Sequence, residues 1–135
     1  MTTSRKPPIS LRCLVVENDG FLAVELADAL TEFGHTVVGT ATTVDGALNL
    51  AEEHEIDLAL VDLALNQKGF GGDVAELLLR RHGVPSLILS GHLTPMNREA
   101  VESLGLFGIM RKPFDRMALR AQLGRRVEQM KGTSA

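Results

Sequence analysis

The sequence predicts an α/β protein built on a doubly wound parallel sheet of five strands. Five short apolar runs alternate along the chain with five stretches of helical length, which is the element order of repeated β–α units. The 135 residues, 44% of them hydrophobic, suffice for one domain with a proper core and leave little room for a second. The pattern therefore favours a single open sheet covered by helices.

The predicted strands are short and rich in Val, Leu and Ile, with little alternation between apolar and polar residues. Such runs are typical of strands that are buried on both faces of a parallel sheet. The five predicted strands are residues 11–17, 35–40, 57–62, 86–90 and 107–110. A sheet buried on both faces needs helices on both sides, in agreement with a doubly wound arrangement.

The stretches between the strands carry helix signals. Leu26 and Leu30 lie on one stripe of the first stretch, and Gly34 follows it as a stop. Thr94 and Pro95 form a capping hydroxyl and a proline at the first helical position of the fourth stretch. The predicted helices are residues 20–33, 43–54, 72–82, 95–104 and 115–130.

Charge is distributed unevenly along the chain. Residues 1–110 carry 7 basic and 15 acidic side chains, whereas residues 111–135 carry 7 basic and 2 acidic ones. The sequence thus predicts a basic carboxyl-terminal segment on an acidic body. Apart from Lys112, its basic side chains are Arg111, Arg116, Arg120, Arg125, Arg126 and Lys131.

The remaining composition points to an intracellular protein. Cys13 is the only cysteine, so no intramolecular disulfide forms, and a cytoplasmic location is expected. No apolar stretch approaches the roughly 18 residues of a membrane span, and the amino terminus has no apolar signal core. We expect residues 1–10 to form a disordered tail and residues 131–135 a flexible one.

Side chains capable of chemistry stand at the ends of four predicted strands. They are Glu17, Asn18 and Asp19 after the first strand, Asp62 at the end of the third, Ser90 at the end of the fourth and Lys112 after the fifth. In an open α/β sheet, ligand sites lie beyond the carboxyl ends of the strands. The topology therefore predicts that these side chains converge on one edge.

The residue types suggest phosphoryl chemistry. A carboxylate at the end of an apolar strand, such as Asp62, is able to act as a nucleophile and form an aspartyl phosphate. Oxygen ligands suit Mg²⁺ or Mn²⁺, and Ser90 and Lys112 are able to bind phosphoryl oxygens. Each residue alone is equally compatible with a capping, turn or surface role. The glycine-rich segment 63–72 lacks the Gly-Lys-Ser/Thr ending of a P-loop, since its lysine precedes the glycines and no hydroxyl follows, and it is predicted to be a turn.

The motifs "LVVEND", "LALVDL", "LILSGH" and "RKPF" resemble those of response-regulator receiver domains, which accept phosphate from a sensor kinase. The resemblance covers about residues 11–130 and includes the spacing of 22 residues from Ser90 to Lys112. It implies a flavodoxin-like receiver fold with strand order 2-1-3-4-5.

The resemblance also implies a role for each matching residue. Asp62 would accept the phosphoryl group, and Glu17 and Asn18 would stand at the metal-binding acidic pair. The backbone carbonyl of Ala64 would complete a weakly bound Mg²⁺ site. The Ser90 hydroxyl would move to bind the phosphoryl group, and Lys112 would form an ion pair with it. The Lys112–Pro113 peptide is a candidate cis bond.

Two positions depart from the receiver pattern. Asn18 replaces a carboxylate that usually contacts the metal, which predicts weakened metal binding. Asp19 is a candidate for rescuing that charge, although a role as the cap of the following helix is favoured. Ile109 stands where many receivers carry a switch aromatic, so output is expected to rely on shifts of loops and helices.

The expected function is that of a stand-alone receiver, since no output domain follows the fifth helix. Its partners would be a sensor histidine kinase or a histidine phosphotransfer protein, and a downstream protein docking on the 95–130 face. Nothing favours membrane or nucleic-acid partners. The alternative is a degenerate receiver that binds a partner constitutively. We expect no enzymatic activity other than phosphorylation and dephosphorylation of the protein itself. A phosphohydrolase of the D-x-D type would need a second acidic residue at position 64, where this chain has Ala64.

Overall fold

A computed structural model describes residues 9–65, 71–92, 94–103 and 106–133, which form five strands and five helices in alternation. The strands are β1 (Arg12–Val16), β2 (Thr36–Ala41), β3 (Leu58–Asp62), β4 (Ser86–Ser90) and β5 (Gly108–Arg111). The helices are α1 (Gly20–Glu32), α2 (Val44–Glu53), α3 (Gly71–His82), α4 (Pro95–Glu102) and α5 (Arg116–Thr133). None of these helices is long and apolar enough to cross a membrane.

The five strands pair in the order β2-β1-β3-β4-β5, and every pairing is parallel. The predicted fold class and strand order are confirmed. Every residue of β3 and β4 is buried, in agreement with the apolar residues that make up most of each strand. The second strand is added on one side of β1 and the third on the other, so the strand order reverses between β1 and β3. Such sheets bind ligands in the crevice at this reversal.

Two apolar clusters cover the two faces of the sheet. The first core cluster packs α1 and α5 against one face through residues such as Leu26, Leu30, Leu119 and Leu123. The second core cluster packs α2 and α3 against the other face through small and branched residues such as Ala47, Val74 and Leu78. Alternate residues of each strand supply the two clusters, as Leu87 and Ile88 of β4 show.

Helices α1 and α3 end within one residue of their predicted ends, whereas α5 runs three residues farther than predicted. Gly34 and Gly83 have φ angles of 93° and 68°, the left-handed conformation expected after a helix. Helix α5 continues to Thr133, into the segment expected to be a flexible tail. At the amino end, Ile9 packs on the first core cluster, and the Ser10 hydroxyl donates to the Gly34 carbonyl at 3.0 Å. The rest of the two predicted tails, residues 1–8 and 134–135, lies outside the described residues.

Candidate functional site

The carboxyl edge of the sheet forms a pocket of about 490 Å³, here called the acidic pocket. Parallel strand register brings its side chains together: Asp62 pairs with Leu89, and the Lys112 amide donates to the Ser90 carbonyl at 2.9 Å. The pocket is lined by Glu17, Asn18, Asp19, Asp62, Leu63, Ala64, Ser90, Gly91, His92 and Lys112. All six side chains that the sequence placed at strand ends therefore line one pocket.

Lys112 is the centre of the acidic pocket. Its Nζ lies 3.0 Å from Glu17 Oε1 and 3.1 Å from Asp62 Oδ1, so one ammonium bridges two carboxylates from different strands. The side chains of Glu17 and Asp62 are 1% and 5% exposed, whereas that of Lys112 is 22% exposed. A nearly buried carboxylate requires such a partner, since an unpaired buried charge is very costly.

The pKa values of Glu17 and Lys112 follow from this arrangement. Burial raises the pKa of Glu17, and the neighbouring Asp62 charge acts in the same direction, against the Asp19 amide and the Lys112 ammonium. Burial alone would lower the pKa of Lys112, but its contacts with Glu17 and Asp62 outweigh burial and raise it. The lysine therefore remains a cation at neutral pH, available to an anion that enters the pocket.

Asp19 caps helix α1. Its Oδ1 accepts hydrogen bonds from Phe21 N at 3.0 Å and Leu22 N at 3.2 Å, the arrangement of an N-cap. Its own amide donates to Glu17 Oε2 at 3.0 Å and thereby helps to orient that carboxylate. Asp19 Oδ1 is thus engaged by the helix backbone, as expected of a cap, while a role of this carboxylate in metal binding beside the exposed Asn18 stays a prediction.

Local hydrogen bonds orient the other polar groups of the acidic pocket. Ala64 N donates to Asp62 Oδ1 at 3.1 Å, and His92 N donates to Ser90 Oγ at 3.2 Å. His92, which lines the pocket, was not among the predicted site residues. The motif "LSGH" could have indicated it. A turn after the strand-end Ser90 brings the residue two positions later, His92, back to the same edge of the sheet.

The predicted cis bond and the switch position lie beside the pocket. The Lys112–Pro113 peptide bond is cis. Ile109 lies in β5 opposite Ile88, is partly buried, and packs against the second core cluster. An isoleucine here is held by apolar contacts within the sheet and has no ring to rotate.

Oxygen donors suited to a hard cation are present in the acidic pocket. Glu17 Oε1 is buried, and the Lys112 ammonium 3.0 Å away occupies at most one of the acceptor sites of this oxygen. This oxygen therefore retains acceptor capacity. The Asp62 carboxylate contacts the same Lys112 ammonium at 3.1 Å. Within the described ranges, however, no group of three acidic, histidine or cysteine side chains is placed to hold a metal. The donor set suits a cation such as Mg²⁺, which is bound through one or two carboxylates and waters.

Comparison with known proteins identifies a family. Residues 13–124 match the model of the response regulator receiver domain. The chain is 27% identical over 113 residues to the transcriptional regulatory protein PdtaR of Mycobacterium tuberculosis, covering 84% of this chain and 55% of that protein. It is 33% identical over 113 residues to the transcriptional activator protein IrlR of Burkholderia pseudomallei, covering 84% of this chain and 48% of that one. The chain thus spans about half the length of these curated relatives.

Solved structures show the same fold. The signal receiver domain of a modulated diguanylate cyclase from Desulfovibrio desulfuricans G20 superposes with a TM-score of 0.84 at 22% identity, covering 91% of this chain and 98% of that one. A CheY-like receiver domain protein from Methanospirillum hungatei JF-1 gives a TM-score of 0.83 at 21% identity, covering 93% and 99%. At these identities the likeness concerns the fold alone.

Proposed function

The chain belongs to the response regulator receiver domain family, and we propose that its acidic pocket accepts a phosphoryl group on Asp62. The observation that carries this proposal is the bridging of Asp62 and Glu17 by Lys112 Nζ at 3.1 and 3.0 Å. A nucleophilic carboxylate and a cation for the incoming oxygens thus lie in one pocket, which Ser90 also lines.

In the proposed reaction, an Asp62 carboxylate oxygen attacks the phosphorus of a phosphohistidine or of acetyl phosphate. A P–O bond forms to Asp62, and the P–N or P–O bond to the leaving group breaks, with the leaving imidazole or acetate taking the electron pair. Lys112 then exchanges part of its contact with Asp62 for the new phosphoryl oxygens. The Ser90 hydroxyl, which lines the same pocket, is the second group available to them.

Glu17, Asp62, the Asn18 amide oxygen and the Ala64 carbonyl are the groups proposed to hold Mg²⁺. The cation supplies charge stabilisation to the transferring phosphoryl group when it is bound. The buried acceptor oxygen of Glu17 supports this assignment. The amide at position 18 provides an oxygen without a charge, from which we infer weak binding.

The proposed phosphoryl donor is a sensor histidine kinase or a histidine phosphotransfer protein. Exposed apolar side chains support a protein donor: Phe21 and Val24 of α1 are 87% and 60% exposed, and Met117 of α5 is 64% exposed. Phe21 lies two residues beyond Asp19, which lines the acidic pocket. A donor contacting the first turn of α1 would therefore approach Asp62 from the open edge of the sheet.

The proposed output is docking of a downstream protein on the 95–130 face. Several of its basic side chains have partners within the chain: Arg116 pairs with Glu32 at 2.8 Å, and Arg125 donates to the Phe107 carbonyl at 2.6 Å. Arg126 donates to the Asp57 carbonyl at 2.8 Å. These contacts favour a structural role for much of the basic helix, which leaves exposed Arg111 as a better candidate for binding an acidic surface.

The test of phosphoryl acceptance is intact mass spectrometry after incubation with acetyl phosphate and Mg²⁺. We expect an adduct of one phosphoryl group on wild type and none on Asp62→Asn, whose far-ultraviolet circular dichroism should match that of wild type. The absence of an adduct on wild type, both with acetyl phosphate and with phosphorylated histidine kinases, would refute the proposal.

The second candidate function is a constitutive binding module with a degenerate site. It is favoured by Asn18 and by the lack of a three-member metal cluster among the described residues. This candidate requires that affinity for a partner is unchanged by Asp62→Asn or Asp62→Glu. A change of tenfold or more with either substitution, measured with a captured partner by calorimetry, would exclude it.

A further inference from the structure

The first residue of α3 lies directly on the backbone that carries Asp62. Gly71 is buried, and its amide donates to the Leu63 carbonyl at 2.8 Å. Helix α3 therefore begins against the end of β3, although nine positions in the sequence separate Gly71 from Asp62.

This approach leaves no room for a side chain at position 71. A Cβ atom there would overlap the Asp62 carbonyl oxygen and would lie 2.8 Å from both the Asp62 carbonyl carbon and Leu63 Cα. All three are backbone atoms, which cannot rotate away as the end of a flexible side chain can. Gly91, which lines the acidic pocket, and Gly124 of α5 have no atom within 4 Å of such a Cβ. Gly71 therefore differs from both of these glycines in meeting fixed backbone atoms.

The backbone that Gly71 contacts also fixes the Asp62 carboxylate. Leu63 N donates to the Leu89 carbonyl at 2.8 Å, which holds the end of β3 against β4. Ala64 N donates to Asp62 Oδ1 at 3.1 Å, the same oxygen that lies 3.1 Å from Lys112 Nζ. Any displacement of residues 62–64 therefore changes the distances from this carboxylate to its two partners.

We propose that Gly71 is a positioning residue, which allows α3 to start close enough to hold the Asp62 carboxylate at Lys112 and Glu17. The proposal rests on the function proposed above, in which Asp62 is the phosphoryl acceptor. Displacement of a reacting group by about 1 Å is able to cost two orders of magnitude in rate. A side chain at position 71 would act through the backbone of Asp62 and Leu63, without touching the phosphoryl group.

The test compares Gly71→Ala with wild type and with the matched control Gly124→Ala, which adds the same methyl group at an exposed helical position far from the pocket. The initial rate of adduct formation with acetyl phosphate and Mg²⁺ is measured by intact mass. The chemical shift of the Ala64 amide is measured by ¹⁵N–¹H correlation spectroscopy without phosphate. Melting temperatures show that each protein is folded.

We expect Gly71→Ala to lower the rate by about tenfold or more and to shift the Ala64 amide resonance, while Gly124→Ala changes neither. A folded Gly71→Ala with the wild-type rate and an unchanged Ala64 resonance would overturn the proposal, even if its melting temperature fell. If Gly71→Ala unfolds at room temperature, both measurements are made in the cold with trimethylamine N-oxide, which favours the folded state.

The amide measurement also separates the two proposals. If wild type takes up no phosphoryl group, the proposed function fails and the Ala64 resonance alone decides the role of Gly71. A shift in Gly71→Ala then supports positioning of the Asp62 backbone, and an unchanged resonance refutes it.

Discussion

Asn18 is the side chain on which metal binding by the acidic pocket most depends. It lines the pocket beside Glu17, but brings an amide oxygen where receiver domains usually have a second carboxylate. A missing unit charge near a divalent ion costs at most several kcal/mol at an effective dielectric constant of about 20, and the cheaper desolvation of an amide recovers part of this. The proposal of weak Mg²⁺ binding therefore rests on this single position.

Restoring the carboxylate should strengthen metal binding. We expect Asn18→Asp to raise Mg²⁺ affinity by about 10–100-fold, because a third negative charge faces the ion. Isothermal titration calorimetry is the suitable measurement, since the chain has no Trp or Tyr for fluorescence. The matched control is Asn49→Asp, the same substitution at an exposed position of α2 that does not line the pocket, and it should leave the affinity unchanged. Equal affinities for wild type and Asn18→Asp would contradict this prediction.

At the scale of elements, the first turn of α1 presents an apolar side chain to solvent. Phe21 is 87% exposed, although the buried stripe of the helix lies on Ala23, Leu26 and Leu30. An aromatic side chain this exposed contributes nothing to the core and is typical of a protein contact site.

Removing this aromatic side chain should slow phosphotransfer from a protein donor but not phosphorylation by acetyl phosphate. We expect Phe21→Ser to reduce phosphotransfer from a phosphorylated histidine kinase or phosphotransfer protein by about tenfold, the effect of losing a central aromatic contact. Phosphorylation by acetyl phosphate, followed by intact mass, should be unaffected. Leu79→Ser, on α3 across the sheet, serves as control because Leu79 is also an exposed apolar residue. Equal loss in both variants would argue against a specific docking surface on α1.

At the opposite edge of the sheet, hydrogen bonds to Asp57 connect β1, the start of β3 and α5. Asp57, just before β3, accepts hydrogen bonds from Arg12 N at 2.7 Å, Nε at 3.1 Å and Nη2 at 3.0 Å. Its carbonyl accepts from Arg126 Nε of α5 at 2.8 Å. Burial alone would raise the pKa of Asp57, but the hydrogen bonds and charge of Arg12, together with the charge of Arg126, outweigh burial and lower it.

This lowered pKa predicts a pH dependence of stability. A carboxylate with a depressed pKa stabilises the fold above its ordinary pKa of 3.8, and its contribution is lost as the pH falls through the lower value in the folded protein. We expect the free energy of unfolding of wild type to fall more between neutral and acid pH than that of Asp57→Asn, which should already be destabilised at neutral pH. Urea unfolding at both pH values measures this. Glu55→Gln, at the exposed partner of Arg12, should keep the wild-type acid response, and an identical response of Asp57→Asn would contradict the prediction.

At the scale of the whole molecule, the interior strand β1 is enclosed by both core clusters. Cys13 in this strand has no exposed surface and packs in the first core cluster. Burial, with a smaller contribution from the Asp57 charge, raises the pKa of its thiol to about 12. Since the thiolate is the reactive form, Cys13 becomes reactive only when the sheet opens.

Thiol labelling should therefore report opening of the whole domain. We expect Ellman's reagent at mildly alkaline pH to modify native protein far more slowly than protein in concentrated guanidinium chloride. The reaction rate in intermediate denaturant should follow the unfolding transition seen by circular dichroism. Rapid and complete labelling of native protein would show that β1 is accessible without global unfolding.

The local sequence determined the fold and most of the acidic pocket. The ends of all ten described elements lie within about three residues of their predicted positions, because buried strands and capped helices are encoded by contiguous residues. Glu17, Asp62, Ser90 and Lys112 could be assigned to one edge without coordinates, since the carboxyl ends of parallel strands meet there. The helix-capping role of Asp19 was also readable from its position before α1.

Tertiary structure alone decided the contacts between residues distant in sequence. Arg12 and Asp57 are 45 positions apart, and Arg126 reaches Asp57 across 69, so no local pattern pairs them. Several arginines of the basic helix α5 contact the chain itself, and only packing revealed these contacts. Likewise "GFGG" read as a flexible turn until the start of α3 was seen to lie on the Asp62 backbone. Periodicity and spacing determine which face or edge a side chain occupies, whereas the approach of two backbones depends on how helices and sheet pack together.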